Sequence, residues 1–288
     1  MTAALARMRQ SFTEAPWRLW LSQLGAILRI EIRKSMWRRR SIWIYLLAFV
    51  PTLMFGIHAL VNPMGSSAGI SGDTTVFAYV FQFFYLRVGI FFGCMGLFTW
   101  LFRGEVVEKS LHYYFLAPVR RQLLIVGKFL AGLITVALVF NASVLLGFTF
   151  LYGHYGPAGR AFVFNGPGFG HLLSYLLVTT LACLGFGSIF LALSLVFKNP
   201  ILPGIALLLW ETFHAVAPAL VQKLSVSFYL TQLCPVTIPP EGFLTLFAVL
   251  AEPVSPWIAI PGLVLLSVAV LVFACVRIQR TEISYLAD

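Results

Sequence analysis

GEVVEKSLHYYFLAPVRRQLLIVGKFLAG, residues 104–132, opens with charged and polar side chains, turns at Pro118 and closes in a continuous apolar run. Apolar segments long enough to cross a membrane lie on both sides of it. Such a connection is held at a membrane surface, where a soluble partner can push on it. The rest of the chain agrees. Its 288 residues are 60% hydrophobic and 10% charged, with a mean hydropathy of +0.91, whereas an ordinary soluble protein carries about 25% charge. In lipid every backbone amide must be satisfied internally, which leaves helices or a closed barrel. The apolar runs are continuous and about 20 residues long, unlike alternating strands of about ten. The fold class is therefore an all-α membrane protein.

Toward the N-terminus, residues 1–16 read as a loose arm and Pro16 opens a helix, since proline is tolerated in a first helical turn. Trp17, Trp20, Leu21, Leu24, Ile27 and Leu28 recur on one face, while Arg18, Gln23, Arg29 and Arg33 point elsewhere. A basic amphipathic helix with tryptophans fits a lipid interface. Residues 1–40, ending in Arg38, Arg39 and Arg40, form this cytoplasmic arm and interfacial helix. Residues 41–288 then form a domain of six transmembrane helices, at about 41–61, 76–102, 123–152, 171–197, 201–221 and 257–276. Pro51 predicts a kink in the first. A short surface helix at about 104–118 lies between spans 2 and 3. Residues 222–256 are apolar but broken by five prolines, and read as an outer cap with a short helix at about 241–250.

Charge sets the orientation. Nine Lys and Arg precede span 1, five lie between spans 2 and 3, one lies in the turn after span 4 and two follow span 6. Arg160 and Lys223 stand alone on the other side. Basic residues accumulate in cytoplasmic loops, so both termini are cytoplasmic and the net charge of +10 does not call for nucleic acid. Cys94, Cys183, Cys234 and Cys275 form no C-x-x-C pair, which argues against a disulfide framework or a zinc site. The five histidines are scattered, and His214, well inside a span, has no evident partner for haem. No cofactor is expected.

Glu105 and Glu108 start the surface helix, where the helix dipole favours acids. Its Leu111, Tyr114 and Phe115 could dock a partner; capping and solvation explain the acids equally well. Arg87 and Glu211 are charges inside spans 2 and 5, and such charges are costly in lipid. They match in depth and could pair, directly or through water; contact with a substrate is the alternative. Phe77, Phe81, Phe84, Phe91 and Phe92 make span 2 a surface suited to apolar or lipid-like cargo, or one that faces lipid. Gly89 and Gly93 form a G-x-x-x-G that permits close helix packing.

Gly104, Glu105, Glu108, Lys109, then Leu116 to Arg121, then Gly127 and Lys128, resemble the intracellular signature of type-2 ABC transporter permeases, with Ser110, Leu111 and His112 in place of the usual Gly-Thr-Leu. The resemblance implies an ABCG-like exporter fold in a bacterial inner membrane and a permease dimer, identical or homologous. It also implies that Glu105, Glu108, Leu111, Tyr114, Pro118, Arg120 and Arg121 form a coupling helix that contacts separate ABC ATPase subunits. The sequence itself supports separateness. A P-loop needs G-x-x-x-x-G-K-[ST], and the only Gly-Lys pair is followed by Phe129. A non-transporting anchor or assembly subunit of a larger membrane complex is the alternative. An intramembrane enzyme lacks its H-E-x-x-H, paired aspartates or nucleophile–base pair.

Overall fold

The computed structural model describes residues 17–63, 65–107, 120–197, 199–236, 238 and 254–279. Every regular element among them is helical. Helix α1 (Trp17–Trp37) leads through a short turn into α2 (Ile42–Val61). Helix α3 (Gly69–Val80), a π-helical segment (Phe81–Ile90) and α4 (Phe91–Val107) run on as one long rod. After the connection come α5 (Arg121–Gly153), α6 (Pro157–Phe164) and α7 (Gly168–Val196). Helix α8 (Ile201–Phe213) is followed by α9 (Ala219–Gln222), α10 (Val226–Leu233) and α11 (Pro256–Gln279). Five helical rods are long and apolar enough to cross a membrane: α2, the α3–α4 rod, α5, α7 and α11.

The expected fifth span, 201–221, is shorter than its hydropathy suggests. Helix α8 has 13 residues, about 20 Å at 1.5 Å per residue, against a hydrocarbon core of about 30 Å. A 3-10 turn (His214–Val216) extends it. Pro218 then holds Ala217 in extended backbone, at φ −76° and ψ 158°, because proline disfavours helical geometry in the residue before it.

The core is aromatic. Phe77 and Phe81 pack against Tyr175 of α7, and Phe91 packs edge-on against Phe186 and Phe190. All three phenylalanines are at most 1% exposed. They therefore form neither a cargo surface nor a lipid face; ring packing between spans 2 and 4 outweighs both. Phe84 and Phe92 remain half-buried. The G-x-x-x-G is a seat for one ring: a Cβ at Gly89 or Gly93 would stand 3.1 or 2.8 Å from Phe140 of α5.

A polar knot pins α2, the π-helical segment and α5 at mid-depth. Ser143 Oγ bonds Tyr85 Oη at 2.7 Å and Thr52 Oγ1 at 2.8 Å, and donates to the Ala48 carbonyl. Pro51 lies in the middle of α2 and lacks an N–H, so the helix is weakened where the knot ties it.

Candidate functional site

Helix α1 does not float beside the bundle. Its stripe Leu24, Ile27, Glu31 and Ser35 faces inward at helical spacing, and α1 packs along the start of α5. Gly127 makes that approach possible, because a Cβ there would lie 2.8 Å from Ile27 Cγ2. Arg120, just before α5, lies 4.4 Å above the Trp20 ring, a cation–π contact. The face expected to meet lipid is thus divided. Ile27 is buried and Trp20, Leu24 and Leu28 are half-buried, while Trp17 and Leu21 stay exposed.

One turn further in, Lys128 is fully buried. Its ammonium lies 2.9 Å from Glu31 Oε1 of α1 and 2.8 Å from Glu105 Oε1 of α4, and donates to the Leu101 carbonyl at 3.1 Å. Three donors thereby find three acceptors, the full capacity of a lysine. Lys34 closes the set, 3.0 Å from Glu105 Oε1 and 4.0 Å from Glu31 Oε1. Two cations and two carboxylates balance. A buried ion pair is stable only when charges and remaining hydrogen bonds are matched in this way. The cluster joins three elements that are distant in sequence and lies at the end of the bundle where residues 108–119 connect α4 to α5.

Glu105 keeps one unused oxygen. Its Oε2 is buried without a hydrogen-bond partner among the described residues. Glu105 also lines a cavity of about 390 Å³, together with Ser41, Trp43, Leu47, Phe92 and Trp100. This cavity opens between α1, α2 and α4.

Of the residues expected to couple a partner, Glu105, Arg120 and Arg121 are described; Glu108, Leu111, Tyr114 and Pro118 lie outside the described residues, as do the short helix at 241–250 and the N-terminal arm. Glu105, expected at the start of a separate surface helix, lies instead in the last turns of α4 and belongs to the buried cluster. Glu31 and Lys34 lie outside the Gly104–Lys128 signature, and Lys128, which closes that signature, reads in sequence as a basic residue at an inner helix end rather than as a buried charge partner. The available clue was the spacing of Ile27, Glu31 and Ser35, which puts an acid on the apolar face of α1.

Arg87 and Glu211 are not joined by a direct ion pair. Glu211 accepts from Ser225 Oγ and Ser227 N, both at 2.8 Å, and from Val226 N at 3.1 Å. It therefore caps the start of α10. Arg87 lies 5.3 Å from the Phe83 ring centroid. Cys234, at the end of α10, is buried, which pushes its thiol up to about 12; it is an inert packing residue.

A family model described as "ABC-2 family transporter protein" matches residues 27–213. Among curated proteins, none matches the chain. The matched region takes in α1 from Ile27 onward, the buried cluster and most of the span-forming helices. The chain belongs to the ABC-2 transporter family and is a multi-pass membrane protein.

Proposed function

We propose, from that membership, that the chain is the membrane-spanning permease subunit of an ATP-driven exporter whose ATP is hydrolysed on a separate subunit. The observation that carries this reading is the Glu31–Lys128–Glu105–Lys34 cluster behind residues 108–119. A push on that connection reaches Glu105 directly, since α4 leads into it. Through Lys128 it reaches α5, and through Glu31 and Lys34 it reaches α1. The three helices then move as one body, and cavities between α1, α2 and α4 change shape. Glu108, Leu111, Tyr114, Pro118, Arg120 and Arg121 make the contact with the ATPase, and a second permease copy completes the route. Residues 1–40 serve as the arm and surface helix of a membrane domain over 41–288. Helix α8 with its 3-10 extension provides a short sixth crossing, and both termini lie in the cytoplasm, at a bacterial inner membrane.

The test is reconstitution with the co-purified ATPase. Glu108→Lys, and Pro118→Gly combined with Arg121→Ala, leave the chain in the membrane and reduce substrate-stimulated ATP hydrolysis. Full stimulation in both variants removes this segment from the mechanism. Co-purification of a redox partner with no ATPase favours an anchor subunit instead. Cysteines placed at the exposed positions Ser67 and Ala158 react with an impermeant outside reagent, and one at Ser110 does not; labelling at 110 reverses the orientation.

A further inference from the structure

At the other end of the bundle, three residues far apart in sequence converge. His58 lies in the last turn of α2, Asp73 near the start of α3, and His154 directly after α5. Asp73 Oδ2 stands 3.3 Å from His58 Nε2 and 3.9 Å from His154 Nε2. One ligand atom from each of the three lies within 4.8 Å of the others. The Asp73 and His154 side chains are 3% and 4% exposed, while His58, at 34%, leaves one side open.

The carboxylate is held in place. Asp73 Oδ1 accepts from Ser66 Oγ at 2.8 Å and Oδ2 accepts from Tyr155 Oη at 2.9 Å. The two hydroxyl oxygens stand 2.8 Å apart, and the Ser66 backbone N–H donates to Tyr155 Oη at 3.3 Å. Ser66 is delivered by a turn in which Gly65 has φ +97°, and a Cβ there would meet the Tyr155 ring at 2.7 Å. Only glycine fits.

His154 shows what is wanted at the centre. Its Nδ1 lies 3.3 Å from the Phe150 carbonyl, which can only accept, so the ring hydrogen sits on Nδ1. The neutral imidazole then presents a lone pair at Nε2. That atom is buried and has no hydrogen-bond partner among the described residues. It faces Asp73 Oδ2, which is also an acceptor. Two acceptors aimed at each other call for a cation between them. A proton on Nε2 would leave a 3.9 Å gap, too long for a hydrogen bond. A metal ion at roughly 2.0–2.2 Å from each ligand fills it. Tetrahedral bonds of that length separate ligand atoms by about 3.3–3.5 Å, so small side-chain shifts complete the geometry.

We propose that His58, Asp73 and His154 bind a divalent first-row transition metal ion, with zinc as the representative. Two imidazoles and one carboxylate suit such a borderline ion better than magnesium or calcium. Three protein ligands leave a further position on the open side of His58. The Phe150 carbonyl on His154 and the Ser66 and Tyr155 hydroxyls on Asp73 act as the supporting contacts that orient ligands. A bound ion ties the ends of α2, α3 and α5 together.

The test uses the full chain in detergent, carried on a histidine-free affinity tag, stripped with chelator and titrated with Zn²⁺ or Co²⁺. Metal content, the Co²⁺ visible spectrum and the unfolding temperature are read. The expected result is one ion per chain, a spectrum with nitrogen–oxygen ligation, and a raised unfolding temperature. His58→Asn and His154→Asn each weaken binding by about tenfold or more, the scale on which even a supporting contact matters at zinc sites. His171→Asn, away from the cluster, binds as wild type. Each variant is first checked for a cooperative unfolding transition without metal, so a misfolded one is replaced by the matching Gln variant. Absence of stoichiometric Zn²⁺ and Co²⁺ binding in wild type overturns the proposal, and so does unchanged binding in the folded His58→Asn/His154→Asn double variant.

Discussion

At one end of α5, Lys128 lies between two carboxylates with a second lysine alongside; at the other end, His154 and His58 face a single aspartate. Both clusters are largely buried and both join elements that are distant in sequence, yet their balances differ. The first matches two cations with two anions and uses every hydrogen of the Lys128 ammonium. Its charges balance as they stand, although Glu105 Oε2 has no hydrogen-bond partner among the described residues, and any loss unbalances them. The second sets the buried His154 Nε2, unmatched among the described residues, against an Asp73 oxygen that is also an acceptor. The difference teaches that the same helix is fastened in two ways. Internal charges close one end, and the other end is shaped for a charge supplied from outside.

The largest effect comes from breaking the closed end. Lys128→Met leaves Glu31 and Glu105 buried without their shared cation. Removing one partner of a buried pair costs about 3–5 kcal/mol, so thermal unfolding in detergent moves down by that equivalent. Adding Glu31→Gln and Glu105→Gln to the same chain recovers much of the loss, because no buried carboxylate is left bare and Lys34, with its side chain 28% exposed, can reach water. A triple variant no more stable than Lys128→Met alone would show that packing, not charge balance, holds α1 in place.

The open end gives the next effect, with opposite sign. Zinc at about 100 times its Kd adds about 2.7 kcal/mol to a chain that binds it only when folded. The same increment is expected in Lys128→Met, since sites well separated along α5 act additively. Chelator reverses the gain in both. An increment that vanishes in Lys128→Met would mean the two ends are coupled through α5, and the comparison would have to be redrawn as one device.

Much of this was legible in sequence where the signal is local. Span-length apolar runs, the amphipathic period of α1 and the Pro51 position sit within single elements, and the family signature at Gly104–Lys128 lies in one short stretch of sequence. What was not legible depends on convergence. Lys128 in an apolar helix looks like an ordinary inner-end lysine until α1 supplies Glu31 and α4 supplies Glu105. His58 and His154 look scattered, because 96 positions separate them in sequence and only the turn at Gly65 brings Ser66 and Asp73 in to meet them. Span 5 was read too long, because hydropathy is blind to Pro218 and to the capping task of Glu211.

Between the ends, Glu211 offers a smaller effect. Glu211→Ala removes the acceptor of Ser225, Val226 and Ser227 and costs about 1–3 kcal/mol as buried donors lose their partner. Arg87→Gln alone costs less, since Arg87 has no direct acid partner. A double-mutant cycle on unfolding free energy separates the roles. A coupling of about 0.5 kcal/mol or more sustains a pair acting through water. Strict additivity leaves Glu211 as a cap and Arg87 as a separate charge.

The smallest effect lies at mid-depth, in the knot of Thr52, Tyr85 and Ser143. Ser143→Ala removes one hydroxyl that serves two others and the Ala48 carbonyl. Thr52 keeps its bond to the Ser143 backbone carbonyl at 3.0 Å, and Thr52 and Tyr85 still stand 3.4 Å apart. The neighbours can therefore re-pair, as polar groups between membrane helices commonly do, and the measured worth of such bonds averages about 0.6 kcal/mol with a maximum near 1.7. The variant should unfold only slightly earlier than wild type, with zinc binding and ATPase stimulation unchanged, because α5 and the α3–α4 rod are held at both ends by charge and α2 at its His58 end. A loss well above that range would place the fastening in the middle of the bundle and leave the two terminal clusters to roles other than stability.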